Sequence, residues 1–145
     1  MKTSEKGLQF IRREEGERLT AYADIIGVWT IGVGHTGAVD GKPVAKGMVI
    51  SANKSRELLS ADLLKFESAI TRLVKVPLKQ YEFDALVSLV FNIGETNFAR
   101  STLLKKLNTN DFEGAFLAWK NAGGRPVQGL LNRRKREKDM FNGLA

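Results

Sequence analysis

The chain has 145 residues, 43% hydrophobic and 27% charged, with a net charge of +7 from 23 basic and 16 acidic side chains. Those values describe one globular domain and exclude a disordered chain. The lack of cysteine and the single histidine exclude disulfides, thiol catalysis and a structural zinc site, and the sequence calls for no metal and no cofactor.

Residues 4–15 read as a short helix, because Leu8, Ile11 and Glu15 recur at i, i+3 and i+7, and Gly16 supplies a stop. From 17 to 35 the pattern changes to short apolar and aromatic runs broken by Gly27, Gly32 and Gly34, which predicts a small antiparallel sheet. Asp40-Gly41-Lys42-Pro43 is a turn or loop. With Ser51 as N-cap, Leu59, Leu63, Phe66, Ile70 and Leu73 keep helical spacing to near Val76-Pro77. The next helix, about 79–93, is apolar nearly all round, so it should be central and buried; Gly94 closes it.

Three shorter helices follow. One covers about 101–108. One starts at Asn110, with Glu113 three residues on as in a capping box, and ends at Gly123-Gly124. The last runs about 127–142. Strands early and helices late predict an α+β fold in a single domain, 1–145. Its N-terminal sheet lobe covers about 15–50 and its connecting helix about 51–74. The larger helical lobe covers about 75–145 plus helix 4–14, and a binding cleft is expected between the lobes.

Met1–Leu8 holds no apolar run of the signal-peptide kind, and no window has the ~18 consecutive apolar residues of a membrane span. The expectation is a soluble chain made in the cytoplasm. Positive charge concentrates in 120–145, above all in Arg133-Arg134-Lys135-Arg136. Such a run favours a polyanion (nucleic acid, anionic lipid or acidic cell wall) or is a solvated helix face.

The chemistry centres on Glu15, Asp24 and Thr30. Helical phase puts Glu15 on the stripe of Leu8 and Ile11 and leaves Glu14 off it. A glutamate on that stripe needs a partner or a task. It also stands at a helix C-terminus, where the partial negative charge of the last carbonyls suits a proton donor. The alternative is a helix-end glutamate turned to solvent. Asp24 reads as a base or as ordinary turn chemistry beside Gly27, and Thr30 as a site hydroxyl or a common strand residue. Together, two carboxylates and a hydroxyl on different elements are what glycoside hydrolysis needs.

Gly32-Val33-Gly34-His35-Thr36-Gly37 spells G-x-G-x-x-G, but a dinucleotide fingerprint opens a helix after a strand, and here loop sequence follows. His35, the sole histidine, is either a catalytic base or the partner of a helix carboxylate such as Asp62.

The block Glu15-Gly16, Leu19, Tyr22, Asp24, Gly27, Trp29-Thr30-Ile31-Gly32 and Gly34-His35-Thr36 resembles the active-site block of phage-type lysozymes (endolysins) of the T-even and lambdoid kind. Phe91-Asn92-Ile93-Gly94 is similar to the family's cleft-lining segment, and Gly129–Glu137 to its basic C-terminal helix. The resemblance covers essentially the whole chain. It implies a bacteriolytic muramidase that hydrolyses the β-1,4 bond between N-acetylmuramic acid and N-acetylglucosamine in peptidoglycan, lysing the host for phage release. In that pattern Glu15 protonates the glycosidic oxygen, while Asp24 and Thr30 hold the attacking water, giving inversion. Gly34, Phe91, Asn92 and Arg133 support the site, Arg133 pairing with Glu15, and His35 pairs with Asp62. The partners implied are glycan strands and the anionic wall surface, with no nucleic acid. The protein would be a monomer that a holin lesion releases from the host cytoplasm to act in the periplasm and cell wall. Two other classes stand beside this one: a lytic transglycosylase, which uses one glutamate and no water, and a basic nucleic-acid-binding module.

Overall fold

The computed structural model describes residues 1–119 and 128–144. They form a two-stranded sheet and seven helices, an α+β arrangement. The chain divides into two units: Leu8–Asp62, and Met1–Gly7 with Leu63–Ala145.

Helix α1 spans Glu5–Glu15. Gly16, at φ +82°, donates its amide to the Arg12 carbonyl at 2.9 Å and ends the helix in a conformation that costs glycine nothing. Strand β1, Arg18–Ala23, pairs antiparallel with β2, Trp29–Gly32, matching Tyr22 to Thr30 and Ala23 to Trp29. A register irregularity between Arg18 and Tyr22 accompanies a second partner for β1. Ala21 donates to the Met48 carbonyl at 2.9 Å, and Ile50 donates to the Leu19 carbonyl at 2.8 Å. Two strands alone are marginal in water. This pair is held by a core of Ala21, Ile31, Val39, Val44 and Ile50, with Leu19, Trp29, Met48 and Leu58 packed against it.

Two sequence expectations in this unit hold in detail. Asp40 and Gly41 both adopt positive φ, +49° and +83°, between Val39 and Lys42, which exchange backbone hydrogen bonds across the turn. Ser51 caps α2, Ala52–Leu73, by accepting the Lys54 amide at 3.0 Å.

In the other unit, α3 spans Gln80–Ile93, and every residue from Glu82 to Val90 is buried. Glu82 accepts the Lys79 amide at 2.7 Å at its start, and the Gly94 amide closes its end on the Val90 carbonyl at 2.8 Å. Helix α4, Glu95–Ala99, was not expected. Helix α5 is Thr102–Asn108, capped by Ser101, which accepts the Leu104 amide at 3.1 Å. Helix α6 is Phe112–Ala118, and its cap corrects the sequence reading. Asn110 lies at φ +61° after α5, while Asp111 accepts the Gly114 amide at 2.7 Å. The expected stop at Gly123-Gly124 lies outside the described residues. Helix α7, Gln128–Phe141, packs on α3, and α5 packs on α6. Trp119 and Phe141 meet at 5.1 Å between ring centroids, and Phe66 meets Phe91 edge-on at 5.4 Å.

Candidate active site

Glu15, Asp24, Thr30, Gly34, His35 and Asp62 all fall in the unit Leu8–Asp62; Phe91, Asn92 and Arg133 fall in the other. Glu15 is the last residue of α1 and is exposed, whereas Ile11 one turn earlier is fully buried. Helical phase had placed both on one buried face. The difference arises because the helix stops at Glu15, so no following turn covers the side chain, and Gly16 redirects the backbone.

Asp24 follows β1 directly. Its Oδ1 accepts two amides, from Ile26 at 3.0 Å and from Val28 at 2.8 Å. Its own amide donates to the Val28 carbonyl at 2.8 Å. Both readings of Asp24 are therefore compatible: it shapes a turn with one carboxylate oxygen and keeps the other, Oδ2, outside that turn. Thr30 is only 4% exposed, and its hydroxyl donates to the same Val28 carbonyl at 3.0 Å. With its proton committed, Oγ1 presents lone pairs to any further partner. One residue, Val28, thus joins Asp24 to Thr30 through its amide and its carbonyl. No side-chain pattern announces a link made by backbone atoms; the only cue is an aspartate three residues before a glycine.

The G-x-G-x-x-G run opens no helix. Ile31 and His35 exchange two backbone hydrogen bonds of 2.9 Å around Gly32-Val33-Gly34, which makes a tight reversal. This places His35 so that Nδ1 lies 2.8 Å from Asp62 Oδ2 and Nε2 lies 3.1 Å from the Ala38 carbonyl. Two acceptors suit a doubly protonated ring. Burial pulls the ring pKa down. The Asp62 hydrogen bond, the Ala38 carbonyl, the Asp62 charge and the Gly37 backbone push it up, and the net is a rise above 6.5. A raised folded pKa gives stability that is full below the unfolded value and lost as pH rises through the folded one. His35→Asn should therefore lower the Tm more at about pH 5 than at about pH 9. Equal losses at both would remove the ion pair from the account.

The basic helix is not uniformly surface. Lys135 and Arg136 are exposed, but Arg133 and Arg134 are 5% and 3% exposed, which corrects the reading of the whole run as a solvated patch. Arg133 Nε donates to Glu137 Oε2 at 3.1 Å and a terminal nitrogen donates to the Ser88 carbonyl at 3.1 Å; Arg134 donates to Glu137 Oε2 at 3.0 Å. Ser88 Oγ also donates to Glu137, which is fully buried. Burial pushes the Glu137 carboxyl above its ordinary range, and the pull of Arg134, Arg133 and Ser88 does not cancel it. Sequence reasoning missed Glu137 and Ser88, although the i, i+3 and i, i+4 spacing of the two arginines to Glu137 was a usable signal.

Among the described residues no group of three or more acidic, histidine or cysteine side chains could hold a metal. No helix there is long and apolar enough to cross a membrane.

The phage lysozyme family model matches residues 12–137, most of the chain. This protein belongs to the phage lysozyme family. It is 54% identical over 144 residues to an endolysin of Salmonella phage P22, covering 97% of this chain and 98% of that one. It superposes on a crystal structure of a P22 lysozyme point mutant with a TM-score of 0.90 at 53% identity, covering 98% of this phage lysozyme and 99% of that chain. A SAR-endolysin of Escherichia phage Mu is 44% identical over 124 residues, 83% of this chain and 70% of its own length. The fold is accordingly the α+β fold of lysozymes.

Proposed function

We propose that this phage lysozyme is an endolysin that hydrolyses the β-1,4 bond between N-acetylmuramic acid and N-acetylglucosamine in peptidoglycan, with Glu15 as general acid and Asp24 as general base. Glu15 gives its proton to the glycosidic oxygen as the bond to the anomeric carbon breaks. Asp24 takes a proton from a water that attacks the opposite face, and Thr30 Oγ1 accepts that water's other hydrogen. The result is inversion, and it calls for carboxyl groups about 6.5–9.5 Å apart. The observation that carries the reading is the Val28 link, which ties the base and the hydroxyl to the backbone of a single residue. Gly34, Phe91, Asn92 and Arg133 take supporting places in it. A lytic transglycosylase needs neither Asp24 nor Thr30.

The direct test is turbidity. The purified protein should clear chloroform-treated Gram-negative cells, and unchanged turbidity would overturn the proposal. Release through a holin lesion belongs to the same reading. Expressed alone, the protein should accumulate without lysis until chloroform is added, and spontaneous lysis would contradict that route. The enzyme acts as a monomer, and its exposed basic side chains aid association with the anionic wall. Replacing Lys135 and Arg136 by Gln should weaken binding to isolated walls, most at low salt, where screening is weakest. Cleavage of a short soluble oligosaccharide should change little. Equal weakening at all salt concentrations would remove the charge argument.

A further inference from the structure

Asp24, Ile25, Ile26, Gly27 and Val28 form the loop between β1 and β2. Nothing packs over its tip: Ile25 is 101% and Ile26 80% exposed. The loop's shape therefore rests on its hydrogen bonds and on its backbone conformation. Besides the bonds to Asp24 and Thr30 already described, the Gly27 amide donates to the Asp24 carbonyl at 2.9 Å. Gly27 adopts φ +87°, a conformation that places its own amide and that of Val28 to serve Asp24. A Cβ at Gly27 would meet no atom within 4 Å, so the position demands glycine for its backbone angle and not for space.

We propose that Gly27 and the Val28 peptide are positioning residues for the hydrolytic water. The Val28 amide holds Asp24 Oδ1 and the Val28 carbonyl takes the Thr30 proton, while Gly27 holds the turn through its amide on the Asp24 carbonyl, and together they set Oδ2 of the base and the lone pairs of the hydroxyl at a fixed separation around one water. The proposal rests on the roles given above to Asp24 and Thr30. An error of about 1 Å in such a group costs up to about 10²-fold in rate, so a small shift of an unpacked turn is enough to matter.

The test compares Gly27→Ala with Gly41→Ala. Gly41 sits in another turn of the same unit, at φ +83°, with no atom within 4 Å of an added Cβ, so both substitutions put a Cβ at a similar positive φ without a clash. Kinetics are measured on soluble glycan fragments of peptidoglycan, with Tm measured alongside. Gly27→Ala should lower kcat about tenfold or more with KM within about twofold, while Gly41→Ala leaves both near native. The two Tm shifts should match. Gly27→Asn, which tolerates positive φ, should recover most of the kcat. If Gly27→Ala loses no more kcat than Gly41→Ala, or loses it only with a much larger fall in Tm, the positioning role is overturned. Asp24→Asn separates the two levels. Full activity in that variant would defeat the base assignment itself, whereas inactivity there together with a native-like Gly27→Ala would defeat only the positioning role.

Discussion

Glu15→Gln is expected to leave the fold intact and to cut the rate of cell-wall lysis by about 10²–10⁴-fold, the usual worth of a positioned general acid. The amide has the shape of the acid but no proton to give to the departing oxygen. Stability should change little, because glutamine keeps the size and hydrogen-bonding capacity of the side chain and the helix is already terminated by Gly16. Exposed substitutions of this kind stay within about 0.5 kcal/mol. The exposure also separates the two readings of this residue. A helix-end glutamate with no task would lose nothing on becoming glutamine, whereas an acid that must reach a polymer loses nearly everything. Lysis rate and thermal melting measured on one preparation distinguish them. Retention of more than about a tenth of native activity would remove Glu15 from the chemistry.

Glu137→Ala is expected to have the opposite signature, a large loss of stability. Its carboxylate is fully buried between Arg133 and Arg134, themselves nearly buried, and accepts the Ser88 hydroxyl. Replacing a whole buried ionic group by apolar side chains is often neutral, because burial of the charges offsets most of their attraction. Removing one member is different. Alanine would remove the buried carboxylate that both guanidiniums share, at a cost of about 3–5 kcal/mol. For a chain of this length that is a fall in Tm of roughly 10 °C or more. Glu137→Gln keeps the shape and one acceptor, and should fall less. Thermal melting of the two variants checks the ordering; a loss under about 1 kcal/mol for Glu137→Ala would show that the arginines find other partners.

Much of the fold was legible because it is written in side-chain periodicity. The apolar run in α3, the Ser51 cap and the Asp40-Gly41 turn each have one physical solution, and the structure adopts it. The His35–Asp62 pair was legible because a lone histidine in the sheet region and an acid on the next helix are complementary. The failures share a cause: each depended on where an element ends or on how it is phased. Glu15 lies on the apolar stripe of α1 by angle but is exposed because the helix stops there. Arg134 and Lys135 are identical in charge and adjacent in sequence, yet the turn of α7 buries one and exposes the other. Asn110 and Asp111 are both capping types, and only backbone conformation decides between them. Helix α4 has five residues, too few for any period to appear. The Val28 link could not be read at all, since it is made by main-chain atoms.

The central claim, that a water positioned by Asp24 and Thr30 attacks the muramyl carbon, is tested most directly by digesting purified peptidoglycan in ¹⁸O-labelled water and weighing the new sugar ends by mass spectrometry. Hydrolysis predicts reducing N-acetylmuramic acid ends that each carry one ¹⁸O. Unlabelled 1,6-anhydro ends would mean that the sugar's own hydroxyl did the attacking, and would contradict the roles given to both residues.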